Sequence, residues 1–194
     1  MGGLKVFVPK EQNDNRAAAT PATVEALKKL NVDILIELGA GVGAGISDEE
    51  YKQAGASIGT RMEGMQNSHV ICAVNPPQIS ELDLLKKGTV WASFLVPQDS
   101  IELIKQAKKN GISLFSMNLV PRISRAQKMD ALSSQTSLAG YKAVILAAAQ
   151  IGKAFPLQMT AAGTLQPAKV VVLGAGVAGL SAIATAKRLG ALVE

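Results

Sequence analysis

Short runs of apolar, β-favouring residues alternate with segments of helical spacing along most of the chain. This alternation predicts strands at 4–8, 33–38, 69–74, 89–95, 113–118 and 169–173. It also predicts helices that start at Thr20-Pro21 and at Ser47, with further helices over 97–110 and about 137–155. Strands that alternate with helices imply right-handed crossovers and a parallel sheet, so an α/β protein is expected.

A long polar stretch without strand periodicity separates the fifth predicted strand, 113–118, from the helix at about 137–155. We therefore expect three parts. The first is a lobe over 1–136 that ends in a loop over 120–136, the second is a linking helix and loop over 137–158, and the third, over 159–194, starts another lobe.

The segment KVVVLGAGVAGLSAIATAKRLGALVE, residues 169–194, places three glycines between a strand and an apolar helix. In a dinucleotide-binding turn the first glycine permits the tight turn, the second lets the pyrophosphate approach, and the third lets helix and strand pack. Gly174, Gly176, Val177 and Gly179 are thus the predicted pyrophosphate contacts. The expected fold is a Rossmann-like parallel-sheet first lobe followed by the truncated start of a second Rossmann lobe.

Two other features resemble parts of such a site. Gly39-x-Gly41-x-x-Ala44 fits a looser form of the glycine pattern, but Gly45 interrupts it before any helix, which favours a flexible connection. A dinucleotide site also needs an acidic residue at the end of the next strand to hold the ribose. Glu194 lies at a suitable distance in sequence, yet its strand only begins there, so the site is incomplete as written.

Composition excludes several classes of protein. Hydrophobic residues make up 48% of the 194 residues, which supports a packed core, and aromatic residues make up only 4%. The net charge is +5, but the lysine pairs fall at or near likely helix ends and no aromatic residues interleave with them, so nucleic acid is not expected as a partner. The single Cys72 and the single His69 suggest structural roles and no metal site, and the N-terminus has no signal-peptide character, so a soluble chain is expected.

Three segments together resemble one known family. PRISRAQKMDALSSQ, TAAGTLQPAKVVVLGAGVAGLSAIATAKRLGA and the N-terminal VPKE…RAAATPATVEALKKL are similar to the NAD(H)-binding domain of the alpha subunit of proton-translocating nicotinamide nucleotide transhydrogenase. The resemblance covers essentially the whole chain, and the RISRAQ segment is its most specific part.

The resemblance implies two Rossmann-like lobes with NAD(H) between them and NADP(H) on a partner domain. Arg122, Gln127, Asp130 and Ser133 would contact the nicotinamide end, with Gln127 and Asp130 aligning the reacting ring. It also implies a homodimer, NADP-binding and membrane-spanning partners, and a complementing C-terminal half. The implied location is cytoplasmic and peripheral at the inner membrane, or the matrix side of a mitochondrial membrane. The isolated chain is expected to be inactive.

The sequence leaves two alternatives to a transhydrogenase component open. Alanine dehydrogenases share Arg16, which binds a substrate carboxylate in them, but they use a lysine in the segment that here reads AVNPP and a histidine in VWASFLVP. This chain has Asn75 at the first position and no histidine at the second, so the acid–base pair for imine chemistry is missing. The other alternative is a non-catalytic remnant.

Overall fold

The computed structural model describes residues 3–194 and divides them into two compact units. The first unit ends at Val120, and the second is Pro121–Glu194. The domain bounds predicted from the sequence, 1–136, 137–158 and 159–194, stay a prediction.

The first unit alternates strands and helices from its start. Its strands are β1 (Leu4–Val8), β2 (Val32–Glu37), β3 (Ser57–Gly59), β4 (Val70–Cys72), β5 (Val90–Ser93) and β6 (Ser113–Ser116). Its α-helices are α1 (Pro21–Lys28), α2 (Asp48–Gln53), α3 (Arg61–Asn67) and α4 (Ile101–Asn110). Single 3-10 turns lie at Val42–Ala44, Ile79–Leu84, Pro97–Asp99 and Met117–Leu119.

The six strands form one sheet in the order β3-β2-β1-β4-β5-β6, and every neighbouring pair is parallel. This confirms the predicted α/β class with a parallel sheet. The chain winds outward from β1 in one direction and from β4 in the other, so the strand order reverses between β1 and β4. Ligands in open sheets of this kind bind beside the carboxyl ends of the strands at that switch point.

Helices cover both faces of the sheet because alternate residues of the central strand β1 point to opposite faces. Val6 and Val8 pack with Val24 of α1 and Tyr51 of α2 on one face. Phe7 packs on the other face, where a Cβ added to Gly64 of α3 would meet its ring. The glycine therefore lets α3 lie close to the sheet.

The helix starts predicted from the sequence are confirmed by their caps. The Thr20 side chain accepts from the Thr23 N–H at 3.3 Å and precedes a proline at the first helical position. Ser47 and Glu50 form a reciprocal capping box at the start of α2. Local signals of this kind are readable because both partners lie within one turn of the chain.

The second unit holds a long helix, a hairpin and the start of a parallel sheet. Its elements are a 3-10 segment at Ser124–Met129, helices α5 (Ala131–Gln150) and α6 (Val177–Arg188), and strands β7 (Gln158–Thr160), β8 (Gly163–Leu165), β9 (Lys169–Val170) and β10 (Leu192–Val193). The parallel pair β9 and β10 packs on the helices through a small core that includes Val144, Phe155 and Ala186.

Two predicted segments differ from the structure, and two elements of the structure were not predicted. The helix predicted from 137 begins at Ala131, because the Asp130 carboxylate caps it by accepting from the Ser133 N–H at 2.9 Å. The predicted loop before β9 contains the antiparallel hairpin of β7 and β8. The prediction missed β3 and α3, which are short and contain glycines that break the apolar pattern.

Within residues 3–194, no helix is long and apolar enough to cross a membrane. The same residues include no group of three or more His, Cys, Asp or Glu side chains placed to hold a metal ion.

Cys72 is a free thiol whose pKa is raised by burial. His69 accepts a hydrogen bond from the Lys5 N–H at Nδ1, at 3.0 Å, and so links the starts of β4 and β1.

Candidate dinucleotide site

The turn between β9 and α6 needs its three glycines for three different reasons. Gly174 has a φ of 105°, a conformation that L side chains rarely adopt. A Cβ on Gly179 would meet the Gly174 carbonyl oxygen, so this glycine permits the close packing of helix and turn. Gly176 has an extended backbone and nothing within 4 Å of an added Cβ. The chain itself therefore gives no reason for a glycine at 176.

The first N–H groups of α6 have no intrahelical partner, as at every helix start. The first turn of α6 carries no acidic residue. Since the positive end of a helix dipole and free N–H groups favour an anion, the turn at 174–179 has the geometry of a phosphate site.

The earlier glycine run, between β2 and α2, is explained by contacts with its own chain. The Gly39 N–H donates to the Asp48 carboxylate at 2.9 Å. A Cβ on Gly41 would lie 2.6 Å from the Ile46 carbonyl oxygen, and one on Gly43 would lie 2.8 Å from Asn15 Cα. An internal carboxylate thus accepts from the loop where a phosphate would have to bind. The structure thus agrees with the interpretation of residues 39–45 as a connection between β2 and α2.

The segment 122–133 is held by Asp130. Its carboxylate accepts from the Ser133 N–H at 2.9 Å and from the Ser133 hydroxyl at 2.6 Å. These two hydrogen bonds, together with the nearby Arg122 charge, lower the pKa of Asp130. Asp130 and Ser133 thus contact each other, while the side chains of Arg122 and Gln127 are exposed, and the role of these four residues as cofactor contacts stays a prediction.

Helix α5, which follows this segment, packs directly against α6, which follows the glycine turn. A Cβ on Gly140 of α5 would meet the Ala178 carbonyl oxygen, and the Ser181 hydroxyl donates to the Ser137 carbonyl oxygen at 2.7 Å. The residues predicted to bind the nicotinamide end, in 122–133, and those predicted to bind the pyrophosphate, in 174–179, therefore lie in one compact unit. The packing of α5 on α6 connects the two segments.

Glu194 pairs through its backbone with β9. Its N–H donates to the Val170 carbonyl oxygen, and its carbonyl oxygen accepts from the Val172 N–H, each at 2.9 Å. The residue therefore lies opposite Val170–Val172, before the level of the glycine turn that starts at Gly174. The interpretation that this strand only begins at Glu194, so that Glu194 is not the ribose-binding acid, stays a prediction.

The switch point of the first unit holds a polar crevice of about 220 Å³, whose lining includes Glu11 and Asn75, and the Asp14–Arg16 pair follows Glu11 in the chain. Glu11 follows β1, and its carboxylate accepts from the Val74 and Asn75 N–H groups and from the Asn75 side-chain amide. Asp14 accepts from the Arg16 guanidinium at 2.6 Å, and the guanidinium lies 5.9 Å from the Phe94 ring centroid.

A second ion network fastens the same edge of the sheet. Arg61, at the start of α3, pairs with Glu37 at 2.9 Å and with Glu81 at 2.6 Å. Glu37 also accepts from the Lys10 N–H at 2.8 Å. Sequence reasoning missed Glu11, Glu37 and Arg61. Glu11 and Glu37 could have been found from their positions at or just after the ends of predicted strands, whereas the sequence offered no such indication for Arg61.

These features define a class: an α/β protein with a parallel sheet and, in a second unit, a glycine-rich turn between a strand and a helix. The model of the alanine dehydrogenase/PNT N-terminal domain matches residues 7–139, and that of the C-terminal domain matches 143–194. The chain belongs to this alanine dehydrogenase/PNT family.

Individual relatives agree with this assignment. The NAD(P) transhydrogenase subunit alpha of Haemophilus influenzae is 47% identical over 98% of this chain and 38% of its own length. The crystal structure of transhydrogenase from Sinorhizobium meliloti is 46% identical, with a TM-score of 0.94 over 97% of this chain and 55% of that one. The alanine dehydrogenase of Methanococcus maripaludis is 34% identical over 98% of this chain and 52% of its own length. The chain thus spans about half the length, or less, of these relatives.

The Asp14–Arg16 pair predicts a specific pH dependence. The hydrogen bond from Arg16 is the main reason that the pKa of Asp14 is lowered from 3.8 to about 2. Because the folded value lies below the unfolded one, the stabilisation is complete above the unfolded pKa and is lost as the pH falls through about 2. Carbon-detected NMR of the side-chain carboxyl should give a midpoint near 2 for Asp14.

The Arg16→Gln variant provides the comparison, because it removes the guanidinium and keeps a polar side chain of similar length. The Asp14 midpoint should rise toward 3.8 in this variant. A midpoint near 3.8 in the unmodified protein would show that the pair does not form in solution.

Proposed function

We propose that this chain is the NAD(H)-binding component of a proton-translocating transhydrogenase, which passes hydride between NADH and NADP on a partner domain. The observation that carries the proposal is Gly176, whose lack of a side chain is not required by any contact within the chain. Membership of the alanine dehydrogenase/PNT family and 47% identity to a transhydrogenase alpha subunit support it.

The glycine turn would hold the pyrophosphate of the dinucleotide. Gly176 would let the phosphate oxygens approach the backbone, and the N–H groups from Val177 onward would donate to them. Gly174 and Gly179 would shape the turn and would not need to touch the ligand. The residues present therefore fit the cofactor at its phosphates.

The segment 122–133 would bind the nicotinamide end. Asp130 and Ser133 hold the segment through their mutual hydrogen bonds, which leaves the exposed Gln127 amide to orient the carboxamide of the ring. The exposed Arg122 guanidinium would meet a phosphate or ribose oxygen. The bound nicotinamide supplies the hydride, so this chain needs to supply alignment and no acid–base group.

The chemistry of an alanine dehydrogenase is disfavoured by the crevice of the first unit. Asn75 does not titrate, and its amide is bound by Glu11 at 2.9 Å. The Arg16 guanidinium, which would hold a substrate carboxylate in that chemistry, is already engaged by Asp14. Asn75 therefore cannot supply the proton that imine reduction needs, and Arg16 is not free of Asp14 to hold the substrate.

The same proposal extends to the assembly. Because the chain spans about half the length, or less, of its relatives, we assign hydride transfer to a complex with a complementing C-terminal half and an NADP-binding partner, and not to this chain alone. A homodimer, a membrane-spanning partner and a peripheral location at the inner membrane belong to this proposal.

Two glycine variants separate ligand binding from folding. Gly176→Ala should leave the melting temperature unchanged, because its backbone is extended and the added methyl meets nothing, but it should weaken NADH binding roughly tenfold or more. Gly179→Ala should instead destabilise the second unit by about 1–3 kcal/mol, because its methyl meets the Gly174 carbonyl. NADH fluorescence titration of the reconstituted protein, together with thermal melts, measures both effects. Unchanged NADH affinity in Gly176→Ala would remove the main support for the proposal.

A third variant tests alignment of the ring. With the C-terminal half and the NADP-binding partner restored, Gln127→Ala should lower the rate of hydride transfer from NADH to NADP⁺ by roughly 10–100-fold while NADH affinity changes by less than about threefold. Gln166→Ala, an exposed glutamine outside the site, is the matched control and should change neither quantity. NADH oxidation that instead needs pyruvate and ammonium, without the partner, would identify an amino-acid dehydrogenase.

A further inference from the structure

The first unit gathers lysines at the amino-terminal edge of its sheet. Each turn that enters β2, β5 or β6 carries a pair of adjacent lysines, and the strands are parallel and in register. All six side chains are exposed. We call these residues the lysine edge: Lys28, Lys29, Lys86, Lys87, Lys108 and Lys109. Four strand spacings, about 19 Å, separate β2 from β6 in the sheet. Helices α1 and α4, which end at the two outer lysine pairs, pack on opposite faces of that sheet.

Two of the three turns are fixed to each other. The Gly88 N–H donates to the Gly111 carbonyl oxygen at 2.9 Å. The stem of Lys87 lies against Gly111, where an added Cβ would be 2.8 Å from Lys87 Cγ. The lysines of the β5 and β6 turns therefore form one surface that needs no rearrangement to meet a partner.

The lysine edge carries most of the excess charge of the chain. Two aspartates lie among its turns: Asp33 pairs with Lys28 at 3.7 Å, and Asp83 accepts from the Asn110 amide at 2.9 Å. Six lysines against two aspartates leave a surplus of four positive charges, compared with a net charge of +5 for the whole chain. The surface is thus complementary to an anionic partner of extended shape.

Stabilisation of helix dipoles explains only part of this arrangement. Lys28 lies in the last turn of α1 and Lys29 caps it, and Lys108 and Lys109 lie in the last turn of α4, where a cation is favourable. Lys86 and Lys87 follow the 3-10 turn Ile79–Leu84 and end no α-helix. Their position at the same edge therefore has no explanation in local helix stability.

An apolar side chain projects from the same edge. Leu30 is 72% exposed, because the turn after α1 passes through Asn31 with a φ of 57° and directs the preceding residue outward. None of the turns 28–31, 86–89 and 108–112 contains an aromatic residue on which a nucleic-acid base could stack. Three lysine pairs, with an exposed leucine beside the first of them, fit the interface of an anionic lipid bilayer better than they fit a nucleic acid.

We propose that the lysine edge binds the anionic headgroups of a phospholipid bilayer, with Leu30 entering the headgroup region. This deepens the peripheral location proposed above by assigning the surface that meets the membrane. The binding uses residues of the first unit only and requires no dinucleotide. Its test is therefore read without NADH, and its failure is distinct from failure of the proposed hydride transfer.

The test is co-sedimentation of the chain with vesicles at low ionic strength. Vesicles of phosphatidylcholine with about one third phosphatidylserine should bind the chain, and pure phosphatidylcholine vesicles should not. The double variant Lys87→Gln/Lys109→Gln should lower the partition coefficient roughly 25-fold, since each lysine near such a surface contributes about fivefold. The matched control Lys10→Gln/Lys142→Gln removes the same charge elsewhere and should change it by less than about threefold.

A further variant and a competing ligand separate lipid from other anions. Leu30→Ser should weaken binding to the anionic vesicles and leave the melting temperature unchanged. Equal losses in the two double variants would show that net charge alone is responsible and would overturn the proposal. Tighter binding to a single-stranded RNA oligonucleotide than to the vesicles, lost in Lys87→Gln/Lys109→Gln, would overturn it in favour of a nucleic-acid partner.

Discussion

The parallel arrangement of all six strands is the constraint on which the first unit depends. Every strand ends at one edge of the sheet and every helix returns to the other, so the two edges are chemically different. The carboxyl edge collects loops, whose carboxylates Glu11, Glu37 and Glu81 bind N–H groups and Arg61. The amino edge collects helix ends and the lysine pairs. The parallel strand arrangement thus gives the sheet a carboxyl edge whose charged groups are paired within the chain and an amino edge that carries positive charge.

The two glycine-rich turns show how similar sequences acquire different chemistry. At Gly39 a carboxylate of the same chain, Asp48, accepts from the loop, and Gly41 and Gly43 are required by close contacts. At Gly176 none of residues 3–194 lies within 4 Å of an added Cβ. A turn whose N–H group already donates to a carboxylate of the chain does not favour a phosphate, whereas a turn with free N–H groups at a helix start does. The turn at 174–179, and not the run at 39–45, is therefore the candidate phosphate site.

Sequence reasoning succeeded where the signal was local. The caps at Thr20 and Ser47, the strand β1 and the glycine turn were all readable, because each depends on residues within one or two turns of chain. The early start of α5 was missed, since Asp130 caps a polar segment that lacks the usual apolar spacing. The Asp14–Arg16 pair and the gathering of six lysines at one edge could not be predicted, because they depend on the side-chain geometry and strand order of the folded chain.

The central claim is that the open turn at 174–179 is the phosphate-binding element of this chain. Amide NMR of the labelled chain with excess NADH tests it most directly, since even weak binding shifts the signals of the N–H groups involved. The account predicts that the largest shifts occur at Gly176 and the first turn of α6, with further shifts in 122–133. It predicts no shifts in 39–45, where the loop is occupied by its own carboxylate. Shifts concentrated in 39–45, with 174–179 unaffected, would contradict it.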